Sequence, residues 1–95
     1  MPEMHFSIRW PDGTPERCYS PSLVVKDHLA AGASYALSDF LARSRTALII
    51  ASERVRKKYG FTCSRALGQL SRIEERAARF HAFPDAQVAV LSFEE

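Results

Sequence analysis

The chain has few cysteines and few glycines, and this scarcity argues against several classes of protein. Its only cysteines are Cys18 and Cys63, too few for the disulfide framework with which small secreted domains supplement a small core. The four glycines are scattered, so they form no glycine-rich phosphate loop. The histidines and cysteines do not have the spacing of metal ligands. We therefore expect no metal and no other cofactor.

Long hydrophobic runs and a strong charge excess are also missing. No apolar run approaches the roughly 20 residues needed to cross a bilayer, so we expect no membrane association. Residues 1–20 carry five charged side chains, which is not the pattern of a signal peptide. We therefore expect a cytoplasmic protein whose cysteines stay reduced. Thirteen basic and 11 acidic residues give a net charge of +2, too balanced to indicate nucleic-acid binding.

The residues that are present have the mix of an ordinary globular protein. Hydrophobic residues make up 46% of the sequence and charged residues 25%, as in folded soluble domains. A length of 95 residues supports one hydrophobic core but not two, so we expect a single domain over residues 1–95. A chain of this size buries only about 60–65% of its unfolded surface. Association with a second copy would therefore add stability.

Alternating hydrophobicity predicts a strand and a hairpin at the start of the chain. The stretch Met4–Trp10 places every second side chain, all apolar, on one face, the pattern of a half-buried strand. A proline, an aspartate and a glycine at positions 11–13 suit the successive backbone positions of a tight turn. Residues 16–20 then predict the returning strand, with Cys18 on one face and Tyr19 on the other.

Two helices are predicted in the second half of the chain. Apolar residues recur with helical spacing over residues 39–59, and Gly60 is a suitable stop. A second helix is predicted to begin with a cap at Thr62 or Ser64 and to end before Pro84. Its predicted core face consists of Cys63, Ala66, Leu67, Leu70, Ile73, Ala77 and Phe80.

Two connecting segments are less regular. Residues 21–29 leave strand and helix both open, because Val24 and Val25 are β-branched while Ser20 and Pro21 suit the start of a short helix. Residues 34–37 are predicted to be an extended linker.

The last strand is predicted over residues 87–93. Val88 and Val90 lie on one face, whereas Ala89, Leu91 and Phe93 lie on the other. Two apolar faces indicate a strand covered on both sides, or one covered by another subunit, which favours a homodimer. The element order predicts an α+β fold of type β-β-α-α-β. We expect about three strands in an antiparallel or mixed sheet, with both helices on one face.

Basic side chains form a stripe on one face of the second predicted helix, roughly 120° from its core face. The stripe consists of Arg65, Arg72, Arg76 and Arg79, with Gln69 between them. It is compatible with a solvated face in which Glu75 pairs with Arg79, with a surface for an acidic protein partner, or with phosphate or nucleic-acid binding. Nucleic acid is the least favoured of these, because no aromatic side chains accompany the arginines.

A second set of candidate binding residues surrounds the hairpin: Trp10, Cys18, Tyr19 and Ser20. Cys18 and His28 could form a thiolate pair if the fold brings them together, but only Arg17 is positioned to lower the pKa of the Cys18 thiol. Trp10 is more typical of a core position, although large aromatic residues also anchor interfaces. A small-molecule pocket near Cys18 and Tyr19 is therefore the alternative to a protein-binding role.

Several stretches together give the chain a family resemblance that covers most of its length. They are RWPDG (9–13), CYSPSLVVKDHL (18–29), GASYALSDFLARSR (32–45), ALIIASERVRKKYGFTCSRA (47–66) and EERAARF (74–80). In combination they resemble a family of short bacterial nitrogen-starvation-response proteins encoded in nitrilase-associated gene clusters. The resemblance implies a place in a nitrogen-metabolism pathway. The small size, the lack of a catalytic motif and the two apolar faces of the last strand lead us to expect an accessory or regulatory protein with a pathway enzyme as partner. The resemblance carries over no catalytic residue, so we expect a non-enzymatic protein.

Overall fold

The computed structural model describes residues 3–61 and 64–95, and these residues form four strands, two α-helices and one 3₁₀ helix. The strands are β1 (Met4–Arg9), β2 (Pro15–Ser20), β3 (Ser34–Ala36) and β4 (Gln87–Glu94). The helices are α1 (Leu37–Tyr59) and α2 (Ser64–Ala78), and the 3₁₀ helix spans Leu23–Asp27. No helix within these described ranges has the length and apolarity that crossing a membrane requires.

The strands form one antiparallel sheet in the order β2-β1-β4-β3. Both helices contribute to a single core with the inward side chains of β1, since Phe40 of α1 and Ile73 of α2 join the same buried cluster as Phe6. The predicted α+β fold, with two helices on one face, is confirmed. The sheet has one strand more than expected, because residues 34–36 pair with β4 where we predicted a linker.

The predicted hairpin is confirmed, including its turn chemistry. The N–H of Gly13 donates to the carbonyl of Trp10 at 2.8 Å, and the N–H of Trp10 donates to the carbonyl of Thr14 at 2.9 Å. Gly13 has a φ of +89°, a conformation that glycine adopts without steric cost. The Asp12 carboxylate accepts hydrogen bonds from the N–H and the hydroxyl of Thr14. These bonds lower the pKa of Asp12.

A bulge corrects the prediction of two apolar faces on β4. Ile8 pairs with Val90, whereas Ser7 pairs with Ser92, so Leu91 is an extra residue in β4. Side chains alternate along a strand, and one extra residue therefore moves those that follow to the opposite face. Phe93 accordingly pairs with Phe6 and packs against the core. The open face of β4 keeps only Ala89 and Leu91 as apolar side chains.

Helix α1 begins at Leu37, two residues earlier than predicted. Its predicted core stripe is buried as far as Val55, but the last member, Tyr59, is 50% exposed. Gly60 ends the helix with a φ of +84°, and its N–H donates to the carbonyl of Arg56 at 2.8 Å.

Among the described residues, the predicted core face of α2 is confirmed at every position except one. Ala66, Leu70, Ile73, Ala77 and the following Phe80 are buried, whereas Leu67 is exposed. The prediction was wrong at Leu67 because the apolar stripe is narrower than the spacing suggested. The predictions for Thr62 and Cys63 lie outside the described residues.

Residues 21–29, for which the sequence allowed either a strand or a helix, contain the 3₁₀ helix. Its cap is Ser22, whose hydroxyl accepts from the N–H of Val24, so Ser20 is not the capping residue. Val24 and Val25 are buried. Beyond it, Gly32 donates to the carbonyl of Val90, which fastens the loop to β4.

Candidate functional site

Glu16 on β2 is the centre of a polar cluster between the hairpin and α2. Its side chain is only 7% exposed. One carboxylate oxygen accepts from the indole N–H of Trp10 at 3.0 Å and from Arg76 at 3.3 Å. The other oxygen accepts from Nε of Arg72 at 2.8 Å. A carboxylate removed from water needs this kind of full hydrogen bonding and charge pairing to be tolerated.

The arginine stripe of α2 therefore faces β2 and the hairpin for much of its length. Arg76 donates from its second terminal nitrogen to the Thr14 hydroxyl at 2.9 Å, and its guanidinium lies 5.9 Å from the Trp10 ring centre. The bond and charge of Glu16 raise the pKa of Arg72. The ion-pair partners of the stripe are Glu16, which pairs with Arg72 and Arg76, and Glu3, which pairs with Arg65 at 3.8 Å. In the described part of the chain, no ion pair joins Arg79 to Glu75 or to another carboxylate.

Arg65 and Gln69, at the start of the stripe, hold Tyr19. The Arg65 guanidinium lies 3.9 Å from the centre of the Tyr19 ring, within the range of a cation–π contact. The Gln69 side-chain oxygen accepts from the backbone N–H of Tyr19 at 2.9 Å. His5 packs edge-on against the same ring, with 5.7 Å between ring centres. Tyr19 is thus held from two sides at the edge of the sheet.

Ser20 is buried and shapes the chain where it leaves β2. Its hydroxyl donates to the carbonyl of Ser22 at 2.7 Å and accepts from the N–H of Ser22 at 3.3 Å. Short local bonds of this kind stabilise a turn. The Ser22 hydroxyl in turn accepts from Arg54 of α1 at 3.1 Å, which ties the turn to the helix layer.

Cys18 lies in the hydrophobic core and its thiol is not exposed. Burial raises the pKa of this thiol, and the nearby Glu16 carboxylate raises it further. Nucleophilic cysteines need an accessible thiolate in an electropositive environment. The position of Cys18 therefore argues against the thiolate pair with His28 and favours a packing role.

We expect Cys18 in the native protein to react with iodoacetamide more slowly than a free thiol by a factor of about 10³ or more, because labelling requires the core to open. Peptide mapping by mass spectrometry separates Cys18 from Cys63, and strong denaturant should restore the full rate. Labelling of native Cys18 at the rate of a free thiol would show that the buried position is incorrect.

Two exposed aromatic side chains lie together at the C-terminal end of α1. Tyr59 and Phe61 are 50% and 66% exposed, and their rings lie 6.3 Å apart. Ile49 of α1 and Leu67 of α2 are also exposed. The Arg45–Glu74 ion pair joins the two helices, and helical spacing places Ile49 and Leu67 on the face that this pair shares. We call Tyr59 and Phe61 the helix-end surface.

The side of the sheet opposite the helices is uncovered and mostly polar. It presents Ser7, Arg9 and Arg17, and Arg17 pairs with Glu94 across the sheet at 2.8 Å. This pair lowers the pKa of Glu94, but both side chains are about half exposed, so it contributes little to stability. Within residues 3–61 and 64–95, no group of three or more His, Cys, Asp or Glu side chains could hold a metal ion.

Sequence reasoning identified the arginines but missed Glu16, which pairs with two of them, Arg72 and Arg76. The arginines stood out because they repeat along one helix. Glu16 is a single acidic residue in a short strand, and its partners Arg72 and Arg76 lie 56 and 60 positions away. The sequence held one indication: side chains alternate between the two faces of the predicted strand, so Glu16 lies on the same face as Cys18 and opposite to Arg17.

Comparison with known proteins gives one positive result. The model of a family described as nitrogen starvation-induced protein NitG matches residues 5–93, which include every strand and helix except the first residue of β1 and the last of β4. No curated protein and no solved structure has significant similarity to the chain.

Proposed function

This chain belongs to the family of nitrogen starvation-induced proteins NitG, and from that premise we propose that it is a non-catalytic accessory protein that acts by binding another protein. Membership confirms the family predicted from the sequence. The pathway we propose is the nitrogen metabolism of a nitrilase-associated gene cluster. We propose that the partner is one of its enzymes and that the two meet in the cytoplasm.

One contrast carries the proposal. The two side chains near the hairpin that could act as a nucleophile or a general base are engaged in contacts within the molecule: Cys18 packs in the core, and Glu16 accepts from Arg72 and Arg76. The helix-end surface instead presents Tyr59 and Phe61 to solvent. Large aromatic side chains that are exposed together are typical anchors of protein interfaces.

The charges around this surface indicate the character of the partner. Arg56, Lys57 and Lys58 are exposed in the last turn of α1, next to Tyr59. Glu53 pairs with Arg56 at 2.8 Å, which leaves the two lysines in excess. A partner with an apolar recess surrounded by acidic side chains is complementary to this arrangement.

An anionic membrane is a weaker candidate for the same surface. Each lysine near an anionic lipid surface contributes only about 1 kcal/mol, and stable anchoring needs more than one such signal. Two aromatic rings and two lysines favour a protein partner, whose recess can enclose both rings.

A homodimer through the open face of the sheet is the alternative assembly that we keep as a proposal. Leu91 is exposed there beside Ala89, but Phe93 has turned to the core. The open face therefore has less apolar surface than the sequence suggested, and we favour a different protein at the helix-end surface. Light scattering of the purified protein distinguishes monomer from dimer.

Site-specific photo-crosslinking in nitrogen-starved cells tests the proposal. A photoreactive residue at position 61 should give an adduct with a protein whose crosslinked surface is acidic. Lys57→Glu with Lys58→Glu in the same chain should reduce that adduct about tenfold or more, because the charges then repel. A photoreactive residue at Ser92 on the open face is the matched control. Equal adducts at both positions, or an adduct unaffected by charge reversal, would contradict the proposal.

A further inference from the structure

We infer that Arg72, Arg76 and Arg79 form a binding site for a small oxyanion, a phosphate or a carboxylate group. The three arginines and Glu75 line a pocket beside the C-terminal half of α2. This site is separate from the helix-end surface and does not depend on the proposed protein partner.

Glu16 orients the first of these arginines. It accepts from Nε of Arg72 at 2.8 Å, and it is itself held by the Trp10 indole and by Arg76. The Arg72 side chain is nevertheless 67% exposed, so its terminal nitrogens remain accessible to solvent. A guanidinium anchored through Nε has lost part of its rotational freedom. The entropic cost of binding an anion in a bidentate geometry is therefore lower.

The charge balance of the pocket favours an anion. Glu16 neutralises one positive charge of the Arg72 and Arg76 pair, and Arg76 is also fixed by Thr14. Arg79 is exposed, and within the described ranges it has no carboxylate partner. Glu75 also lines the pocket, so three arginines and two carboxylates leave an excess of one positive charge.

The size of the pocket limits the ligand. Its volume is about 160 Å³, below the roughly 300–1,000 Å³ of sites that enclose drug-sized ligands. A single phosphate or a short dicarboxylate fits this volume, whereas a whole nucleotide would extend beyond it. The lining is polar and mostly guanidinium, the group that matches phosphate and carboxylate geometry.

Titration with inorganic phosphate, and separately with succinate, tests the site. The arginine Nε–H signals in nitrogen-15 NMR spectra are followed at constant ionic strength, with sodium chloride as reference. We expect saturable shifts of Arg72 and Arg79 with at least one of the two anions, and a preference for one of them identifies the chemistry of the ligand. Arg79→Gln should weaken binding about tenfold, the loss of one charge-assisted hydrogen bond.

Two further variants distinguish a specific anion-binding site from nonspecific electrostatic attraction. Glu75→Gln should strengthen binding about threefold by removing a like charge. Arg43→Gln removes an α1 arginine that pairs with Asp39 and should leave binding unchanged. Shifts that do not saturate, that equal those with chloride, or that survive Arg79→Gln would overturn the inference.

Discussion

Replacing Glu16 with alanine is expected to lower the free energy of unfolding by about 2–4 kcal/mol. The substitution leaves the Trp10 indole N–H without its acceptor in a buried position. It also leaves the Arg76 guanidinium, whose side chain is only 25% exposed, without its counter-charge. An unpaired buried donor and an unpaired partly buried charge each cost more than the bond that was lost. Chemical denaturation followed by circular dichroism measures the change.

An exposed ion pair of the same type serves as the control for Glu16. Glu94 pairs with Arg17 in an exposed position, so Glu94→Gln should not alter stability measurably. Glu16→Gln should fall between the wild type and Glu16→Ala, because the amide oxygen can still accept from Trp10. If Glu16→Ala were as stable as the Glu94→Gln variant, the cluster would not hold the hairpin to α2.

Replacing Trp10 with alanine should have the largest effect on stability, a loss of about 3–5 kcal/mol. Trp10 is the largest fully buried side chain of the described residues. It stacks on Phe80 at 5.8 Å between ring centres and meets Phe40 edge-on at 5.9 Å. Truncation leaves a cavity between the sheet and both helices, and it also removes the indole donor to Glu16. A domain stability of about 5–15 kcal/mol is typical, so this loss is a large part of the total.

Trp10→Phe separates the packing contribution from the hydrogen bond. Phenylalanine keeps most of the aromatic contact but cannot donate to Glu16, so we expect a smaller loss of about 1–2 kcal/mol. Tyr59→Ala truncates an aromatic residue that is half exposed and should change stability by no more than about 0.5 kcal/mol. Equal losses for Trp10→Ala and Tyr59→Ala would contradict the core position of Trp10.

Local patterns in the sequence predicted much of the fold. The alternation of β1, the turn at residues 11–13 and the helical stripes depend on neighbours within one element, and each is present in the structure. The short strand β3 was missed because three residues cannot show a period, and its strand character comes from pairing with β4. The bulge at Leu91 was missed for a similar reason, since only the pairing register with β1 shows it.

The candidate site was less accessible to sequence reasoning because it depends on contacts between distant residues. Helical spacing paired Arg79 with Glu75, but Arg72 and Arg76 pair with Glu16 on β2, and Arg65 pairs with Glu3. Cys18, Tyr19 and Ser20 were candidate binding residues in the sequence analysis. In the structure these residues fill the core, contact α2 and shape the turn after β2.

The dissociation constant between the purified protein and the partner identified by crosslinking tests the role of the helix-end surface directly. We expect Tyr59→Ser with Phe61→Ser to weaken binding about 30-fold or more, as for two anchoring aromatic residues, while circular dichroism shows an unchanged fold. Leu91→Ser on the open face of the sheet should bind like the wild type. Wild-type affinity in the Tyr59 and Phe61 variant, or loss of binding only in Leu91→Ser, would contradict the claim that the helix-end surface binds the partner.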